Sequence, residues 1–376
     1  MRHREIWATG MLVSEIGLGC EHLQGKDYNV VKAVIDEAEA AGINIMDVFM
    51  SEPQVRTDIG KAISKSRDKW VIQGHFGSIW KDGQYAKSRD LDEIKHFFDD
   101  LLTRLQTDYI DIGMLHFVDT EEDFSAIFET GVIDYVLGLK KKGVIKCIGL
   151  SSHVPHIAKK AVLTGLVEVL MFNVNPAHDM LPSTGDLEIF HANVLNDAAI
   201  NGIHQDRKDL YIACEKMGCA ITTMKTYCGG IMLNEKTSPF GEAIHPHPLI
   251  HYALTRPAVV SAIIGCVNPD EVRQAAGYNP ETGDNDFTGL LTRAPKFSVR
   301  GVCIYCSHCL PCRESINIAL VNRCLDLAGS ESAVSQYKSM AKSARDCVSC
   351  GECEERCPFG VPIRERMTEA KDIFGK

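Results

Sequence analysis

The chain has 376 residues, 45% of them hydrophobic and 24% charged, with a net charge of −10. That composition is globular, long enough for one large domain and a smaller second unit, and its acidity argues against a nucleic-acid-binding surface. No apolar segment follows the N-terminus as in an export signal, and no run of about 18 apolar residues occurs, so no membrane span is expected and the expected location is the cytoplasm.

Eight short apolar runs recur along the first three quarters of the chain. They are EIGLGC (15–20), NIMDVF (44–49), WVIQGHF (70–76), YIDIGMLHF (109–117), IKCIGLSS (145–152), EVLMFNVN (168–175), CAITTMK (219–225) and VVSAIIGC (259–266). Each has the length of a strand and little polar alternation, as expected of strands covered on both faces. Amphipathic stretches lie between them. In 91–105, Leu91, Ile94, Phe97, Phe98, Leu101, Leu102 and Leu105 follow helical spacing. Residues 30–42, 134–143 and 208–218 each end in glycine, a helix stop. Eight strands with helical crossovers over residues 1–280 predict an α/β fold, a (β/α)8 TIM barrel; an open doubly wound sheet is the alternative. Residues 176–204, after the sixth strand, read as a long polar insert at the C-terminal rim.

HPHPLIH (245–251) gathers three histidines, but its prolines read as the extended lead-in to a helix rather than a metal site. Residues 281–297 are turn-rich and read as a linker. The remainder, 298–376, is too poor in apolar residues to fold without help, so bound metal would have to stabilise it.

The chain has fifteen cysteines. Seven are scattered and read as buried small apolar residues. The other eight form two quartets, Cys303, Cys306, Cys309 and Cys312, and Cys347, Cys350, Cys353 and Cys357, the last followed by Pro358. The second is a C-x₂-C-x₂-C-x₃-C-P run, the bacterial ferredoxin spacing, in which the fourth cysteine ligates the other cluster. The expected ligand sets are therefore Cys303, Cys306, Cys309 and Cys357 for one [4Fe–4S] cluster, and Cys347, Cys350, Cys353 and Cys312 for the other. The first quartet is one residue shorter than the usual spacing, which leaves its cross-pairing open, and a pair of structural zincs is the rival reading. Fully thiolate-ligated iron has no open position for substrate, so the clusters are expected to carry electrons.

Several barrel segments resemble the aldo/keto reductase superfamily: VSEIGLGC (13–20), GINIMDVF (42–49), RLQTDYIDIGMLHFVD (104–119), GVIKCIGLSSH (143–153), FNVNPAHD (172–179), MKTYCGGIML (224–233) and IIGCVNPDEV (263–272). With its tail, the whole chain resembles the branch that carries a C-terminal ferredoxin-like 2x[4Fe–4S] domain of small α-helical type. The resemblance implies hydride transfer from NADPH to a carbonyl by an Asp, a Tyr, a Lys and a His. Asp47 matches the Asp and His116 the His. The Lys position holds His75 and the Tyr position Glu52, and no tyrosine lies between Asp47 and His75. Asp47, Glu52, His75 and His116 are thus the expected catalytic group, two carboxylates and two imidazoles suited to acid–base work near neutral pH. The same resemblance points to Ser151, Ser152, Asn173, Lys225, Gly229, Gly230, Gly265 and Asn268 as the cofactor groove, for NAD(P)H or a flavin, although Glu271 is acidic where a 2′-phosphate would need a cation.

The expected function is an iron–sulfur oxidoreductase of anaerobic type. It would reduce a small organic substrate at the barrel rim with electrons relayed by two clusters, and a redox partner protein would supply them. Two alternatives stand beside it: a non-redox lyase, ether-cleaving or isomerase activity with structural clusters, and an electron-transfer subunit of a larger complex.

Overall fold

The computed structural model describes residues 1–81, 83–179, 200–201, 203–236, 238–282, 285–287, 297–298, 303, 309–357 and 360–375. Most of the expected insert and linker, together with Cys306 and Pro358, lie outside them. The strands in chain order are β1 (His3–Ile6), β2 (Met11–Ser14), β3 (Ile16–Gly19), β4 (Ile45–Val48), β5 (Val71–Phe76), β6 (Ser78–Lys81), β7 (Gln84–Lys87), β8 (Ile110–Leu115), β9 (Ile145–Ser152), β10 (Val169–Asn173), β11 (Ile200–Asn201), β12 (Ala220–Met224), β13 (Val259–Gly265) and β14 (Phe297–Ser298).

Each of the eight apolar runs becomes a barrel strand. They close in the order β10-β12-β13-β3-β4-β5-β8-β9, every neighbouring pair parallel. The lack of alternation has the expected cause: all six residues of β8 are buried, inward ones by the barrel core and outward ones by helices. Near the strand N-termini the interior is apolar, built from Ile45, Ile112, Cys147, Val169, Ala220 and Val260. The antiparallel β1–β2 hairpin, which sequence periodicity did not single out, joins this core with Ile6 and Val13, both 0% exposed. The carboxylate of Glu15 clamps its base, accepting from Arg2 Nε at 2.9 Å and Arg4 Nε at 2.8 Å.

The helices are α1 (Tyr28–Ala40), α2 (Pro53–Ile63), α3 (Leu91–Leu105), α4 (Glu121–Phe128), α5 (Gly131–Lys141), α6 (Pro155–Val162), α7 (Pro176–Asp179), α8 (Gln205–Met217), α9 (Pro246–Leu254), α10 (Pro269–Ala276), α11 (Ile318–Asp326), α12 (Glu331–Ser339), α13 (Glu352–Arg356) and α14 (Ile363–Phe374). In α3 the periodic residues Ile94, Phe98, Leu101 and Leu105 are the buried ones. Asp90 caps its N-terminus by accepting from the amides of Asp92 and Glu93, and Gln106 ends it in the left-handed region at φ 53°.

The chain divides into two compact units. One comprises Met1–Val174, Gly218–Thr226 and Ala258–Asn279, and holds the whole barrel. The other comprises Asn175–Met217, Tyr227–Pro257 and Pro280–Lys376. The loops and helices after the sixth and seventh barrel strands therefore group with the tail, where the sequence suggested a division near residue 280. One contact shows why: Arg323 of α11 donates to Glu215 of α8 at 3.1 Å. Within the tail, α11, α12 and α14 share a small core in which Tyr337 stacks on Phe374 with ring centroids 4.3 Å apart, beside buried Val321, Met367 and Ala370. Among the described residues no helix is long and apolar enough to cross a membrane.

Candidate active site

Side chains alternate along a strand, so the residues that follow the apolar inward row by two or four positions also point inward, nearer the C-terminal rim. Ile45 is followed by Asp47, Val71 by Gln73 and His75, and Ile112 by Met114 and, just past β8, His116. The core thus turns polar at the rim because these three strands change residue class there. Asp47 and His75 are each 3% exposed and His116 is 6% exposed.

The three are joined in series. His75 Nε2 lies 2.9 Å from Asp47 Oδ1, and His75 Nδ1 lies 2.9 Å from His116 Nδ1. Gln73 Nε2 donates to the same Asp47 oxygen at 2.9 Å and is itself oriented by Thr222 Oγ1, which donates to Gln73 Oε1 at 2.8 Å. Burial first, then its basic neighbours, with Arg89 and Lys87 the lasting positive charges, hold the His116 imidazole well below its ordinary 6.5, so it is neutral at pH 7.

A fourth member comes from outside the predicted set. The Tyr85 hydroxyl lies 2.6 Å from His116 Nε2. Tyr85 sits on β7 of an antiparallel hairpin with β6, inserted after the third barrel strand. The sequence lacks a tyrosine between Asp47 and His75, but the fold returns a phenol to the site from beyond His75. A signal was present: Asp82-Gly83, flanked by SIWK and QYAK, is a hairpin dipeptide between short apolar-aromatic runs. Burial, with the negative Glu21 adding to it against Arg89, raises the phenol above its ordinary 10 and keeps it protonated.

Glu52 does not join this series. It caps α2, its carboxylate accepting from the Val55 amide at 2.7 Å. The sequence placed it five residues past Asp47, where the chain has already turned into a helix, and a carboxylate there satisfies backbone N–H groups.

The expected cofactor groove is differently engaged. Ser151 Oγ accepts from the Phe117 amide at 2.8 Å. Ser152 Oγ donates to Asp119 Oδ1 at 2.9 Å, and the backbone and ring of His153 bind the same carboxylate. Burial alone would raise the Asp119 carboxyl, but these bonds from His153 and Ser152 outweigh it and hold it below its usual range. Asn173 is fully buried at the end of β10. Lys225 is exposed at φ 55° in the barrel unit, while Gly229 and Gly230, at φ 64° and 87°, belong to the other unit. A Cβ on Gly265 would meet the His22 ring at 2.5 Å. Asn268 caps α10 by accepting from the Glu271 amide at 3.0 Å, and Glu271 accepts in return from the Val267 amide at 2.9 Å. The amides of Val267 and Glu271 are thus taken by the chain's own Glu271 and Asn268 side chains, and Arg273 pairs with Glu37 and Asp270. These residues do not fit a 2′-phosphate grip.

The cysteines of the tail behave otherwise. Cys312, Cys347, Cys350 and Cys353 are among the residues that line one small pocket open to solvent. Those four, three from one motif and one from the other, are the set expected for the second cluster. Ser343 and Asp346 form a capping box that leads the chain into Cys347. Arg356 Nη2 ties the two motifs together, donating to the carbonyls of Cys309 at 3.2 Å and Pro311 at 2.6 Å. The Ser349 amide points at Cys347 Sγ, 3.4 Å away. Among the described residues no three His, Cys, Asp or Glu side chains converge as around a single metal ion. The donor set around this pocket, four cysteines from two motifs, is chemically suited to an iron–sulfur cluster. Cys306 lies outside the described residues. Of its expected companions, Cys309 is buried while Cys303 and Cys357 are half-buried.

The comparisons with known proteins agree with the barrel. The model of the Aldo/keto reductase family matches residues 15–239. An uncharacterized oxidoreductase, YqkF, of Bacillus subtilis is 28% identical over 73% of this chain and 90% of its own length. The methylglyoxal reductase DkgA of Yersinia pestis is 28% identical over 42% of this chain and 52% of its own. Among solved structures, aldo-keto reductase AKR11C1 of Bacillus halodurans in its holo form superposes with a TM-score of 0.60 at 20% identity, over 76% of this chain and 94% of that one. An eight-stranded parallel barrel with Asp47 and His116 at its rim, and a family match over more than half the sequence, together place this chain in the aldo/keto reductase family, as an oxidoreductase of that type.

Proposed function

We propose that the chain is an iron–sulfur reductase of a small carbonyl compound, acting at the barrel rim with electrons passed through two [4Fe–4S] clusters held by Cys303, Cys306, Cys309 and Cys357, and by Cys347, Cys350, Cys353 and Cys312. The carrying observation is that four thiols from two motifs line a single cavity. When bound, such clusters supply electrons one at a time. The chain's own part is to hold the thiols, exclude water from the rim, and move protons. Reduction of a carbonyl to an alcohol takes up two electrons and two protons; the buried Asp47–His75–His116 series is placed to supply the proton that forms the O–H bond, and a solvent proton forms the C–H bond. A carbonyl substrate agrees with the methylglyoxal reductases among the relatives, and methylglyoxal is the natural first assay.

The nicotinamide site is not needed by this reading, and the capping of α10 by Glu271 speaks against one that grips a 2′-phosphate. Oxygen-free purification tests the proposal. Brown protein with about eight irons per chain, bleached by dithionite and recoloured by methylglyoxal, is expected. Colourless protein holding zinc would refute it. His75→Ala is expected to lower turnover by roughly 10²-fold or more while leaving the iron content unchanged.

A further inference from the structure

The hydrogen bonds at the rim have a fixed sense. Asp47, ionised, can only accept, so His75 Nε2 carries the proton that points at it. In a neutral His75 the other nitrogen, Nδ1, must then accept, so His116 Nδ1 is the donor across the 2.9 Å contact. His116 Nε2 is left as an acceptor, and the Tyr85 O–H donates to it. One carboxylate thus sets the direction of three successive hydrogen bonds, and the phenol oxygen presents its lone pairs away from His116.

Adding one proton reverses the sense without breaking a bond. His75 becomes an imidazolium paired with Asp47 and donates from Nδ1. His116 switches tautomer, accepting at Nδ1 and donating from Nε2 to the phenol oxygen. Tyr85 then points its O–H outward. The phenol is held for this. Its hairpin is closed at the base by Ser88 N donating to Gly77 O at 2.9 Å, and Arg89 Nη2 pins it to the carbonyls of His116 and Phe117, each at 2.8 Å. Phe49 stacks on the His116 ring and takes the Tyr85 ring at its edge, with centroids 5.7 Å and 6.1 Å away. Tyr85 is 40% exposed, whereas every other member of the series is buried.

We infer that Tyr85 is the group that exchanges a proton with the substrate oxygen, that the His75–Asp47 pair stores that proton, and that His116 passes it between them by switching tautomer once per turnover. In the loaded state the Tyr85 hydroxyl proton moves to the substrate oxygen and forms its O–H bond. The proton on His116 Nε2 moves to the phenol oxygen, and the proton on His75 Nδ1 moves to His116 Nδ1. His75 ends neutral, Asp47 stays ionised throughout, and one proton has left the series. The reverse order takes a proton from a substrate hydroxyl. The substrate class is therefore a carbonyl/alcohol couple whose oxygen reaches the exposed phenol. The charged groups around the relay are Arg89 and Lys87 on the β6–β7 segment, His153 past β9 and Glu21 past β3. This inference rests on the acid–base half of the proposed function and not on the clusters.

The test uses the full-length holoprotein carrying ¹⁵N-histidine and ¹³Cζ-tyrosine, followed by NMR against pH. As His75 takes up its proton, the two His116 nitrogens are expected to exchange their protonated and acceptor signals, and the Tyr85 Cζ signal to move with the same midpoint. Asp47→Asn is expected to lower that midpoint by about one pH unit or more, and to carry the Tyr85 response with it. A His116 that keeps one tautomer throughout, or a Tyr85 signal indifferent to Asp47→Asn, overturns the relay. With methylglyoxal and dithionite-reduced protein, Tyr85→Phe keeps the ring packing and is expected to lower kcat roughly 10²-fold with little change in KM. Wild-type turnover by Tyr85→Phe also overturns the inference. If the wild type itself fails to turn over methylglyoxal, the carbonyl reading of the function is what fails, and the NMR titration alone decides the relay.

Discussion

His116 is a buried imidazole with a hydrogen-bond partner on each nitrogen and four cationic or proton-accepting neighbours. Its folded-state value lies below the 6.5 of an unfolded histidine. Above 6.5 both states are neutral there and its burial costs nothing in protons. As pH falls through 6.5 the unfolded chain binds a proton that the native site resists, so stability is lost on acidification, at up to about 1.4 kcal/mol per pH unit for this one group. We expect the melting temperature to fall between pH 7 and pH 5, and His116→Asn to flatten that slope. A slope equally steep in the variant would show that other groups carry it.

At the scale of elements, two short pieces decide what reaches the site. The first is the start of α2. If Glu52 is a cap and nothing more, Glu52→Ala should cost about 0.5–2 kcal/mol of stability, measured by denaturant unfolding, and leave turnover unchanged. Loss of turnover with unchanged stability would return Glu52 to the catalytic group. The second is the β6–β7 hairpin. Gly77 turns into it at φ 84°, and a Cβ there would stand 2.6 Å from the Ser88 carbonyl oxygen. Gly77→Ala is therefore expected to destabilise the hairpin by roughly 1–3 kcal/mol and to lower kcat along with Tyr85→Phe. Full activity with rapid amide exchange in residues 78–87 would separate the hairpin from catalysis.

For the molecule as a whole, the sequence of the tail is poor in apolar residues, and its three-helix core around Tyr337 and Phe374 adjoins a cysteine-lined pocket. Bound metal is the expected source of the missing stability. Cys353→Ser should remove the cluster assigned to Cys312, Cys347, Cys350 and Cys353, lowering iron from about eight to about four per chain and loosening the tail while the barrel keeps its circular dichroism. An unchanged iron content would break the ligand assignment.

The eight barrel strands were legible in the sequence because a strand buried on both faces must be apolar throughout, and eight such runs alternate with helical stretches. The helix stops were legible at Gly42, Gly143 and Gly218, which take positive φ as the pattern requires. The ferredoxin-like spacing suggests Cys312 as a companion of the second cysteine motif, and the structure places it with Cys347, Cys350 and Cys353 around one pocket. Asp47, His75 and His116 are named through the family resemblance, and alternation along their strands accounts for their pointing inward at the rim. Three things needed the tertiary structure. Glu52 stands at a helix cap because backbone N–H groups at a helix start compete for a carboxylate. Helices α8 and α9 joined the tail through long-range contacts that no local pattern records. Tyr85 entered the site because a hairpin folds back over thirty residues of intervening chain from His116, and proximity of that kind belongs to the packing, not to the order of residues.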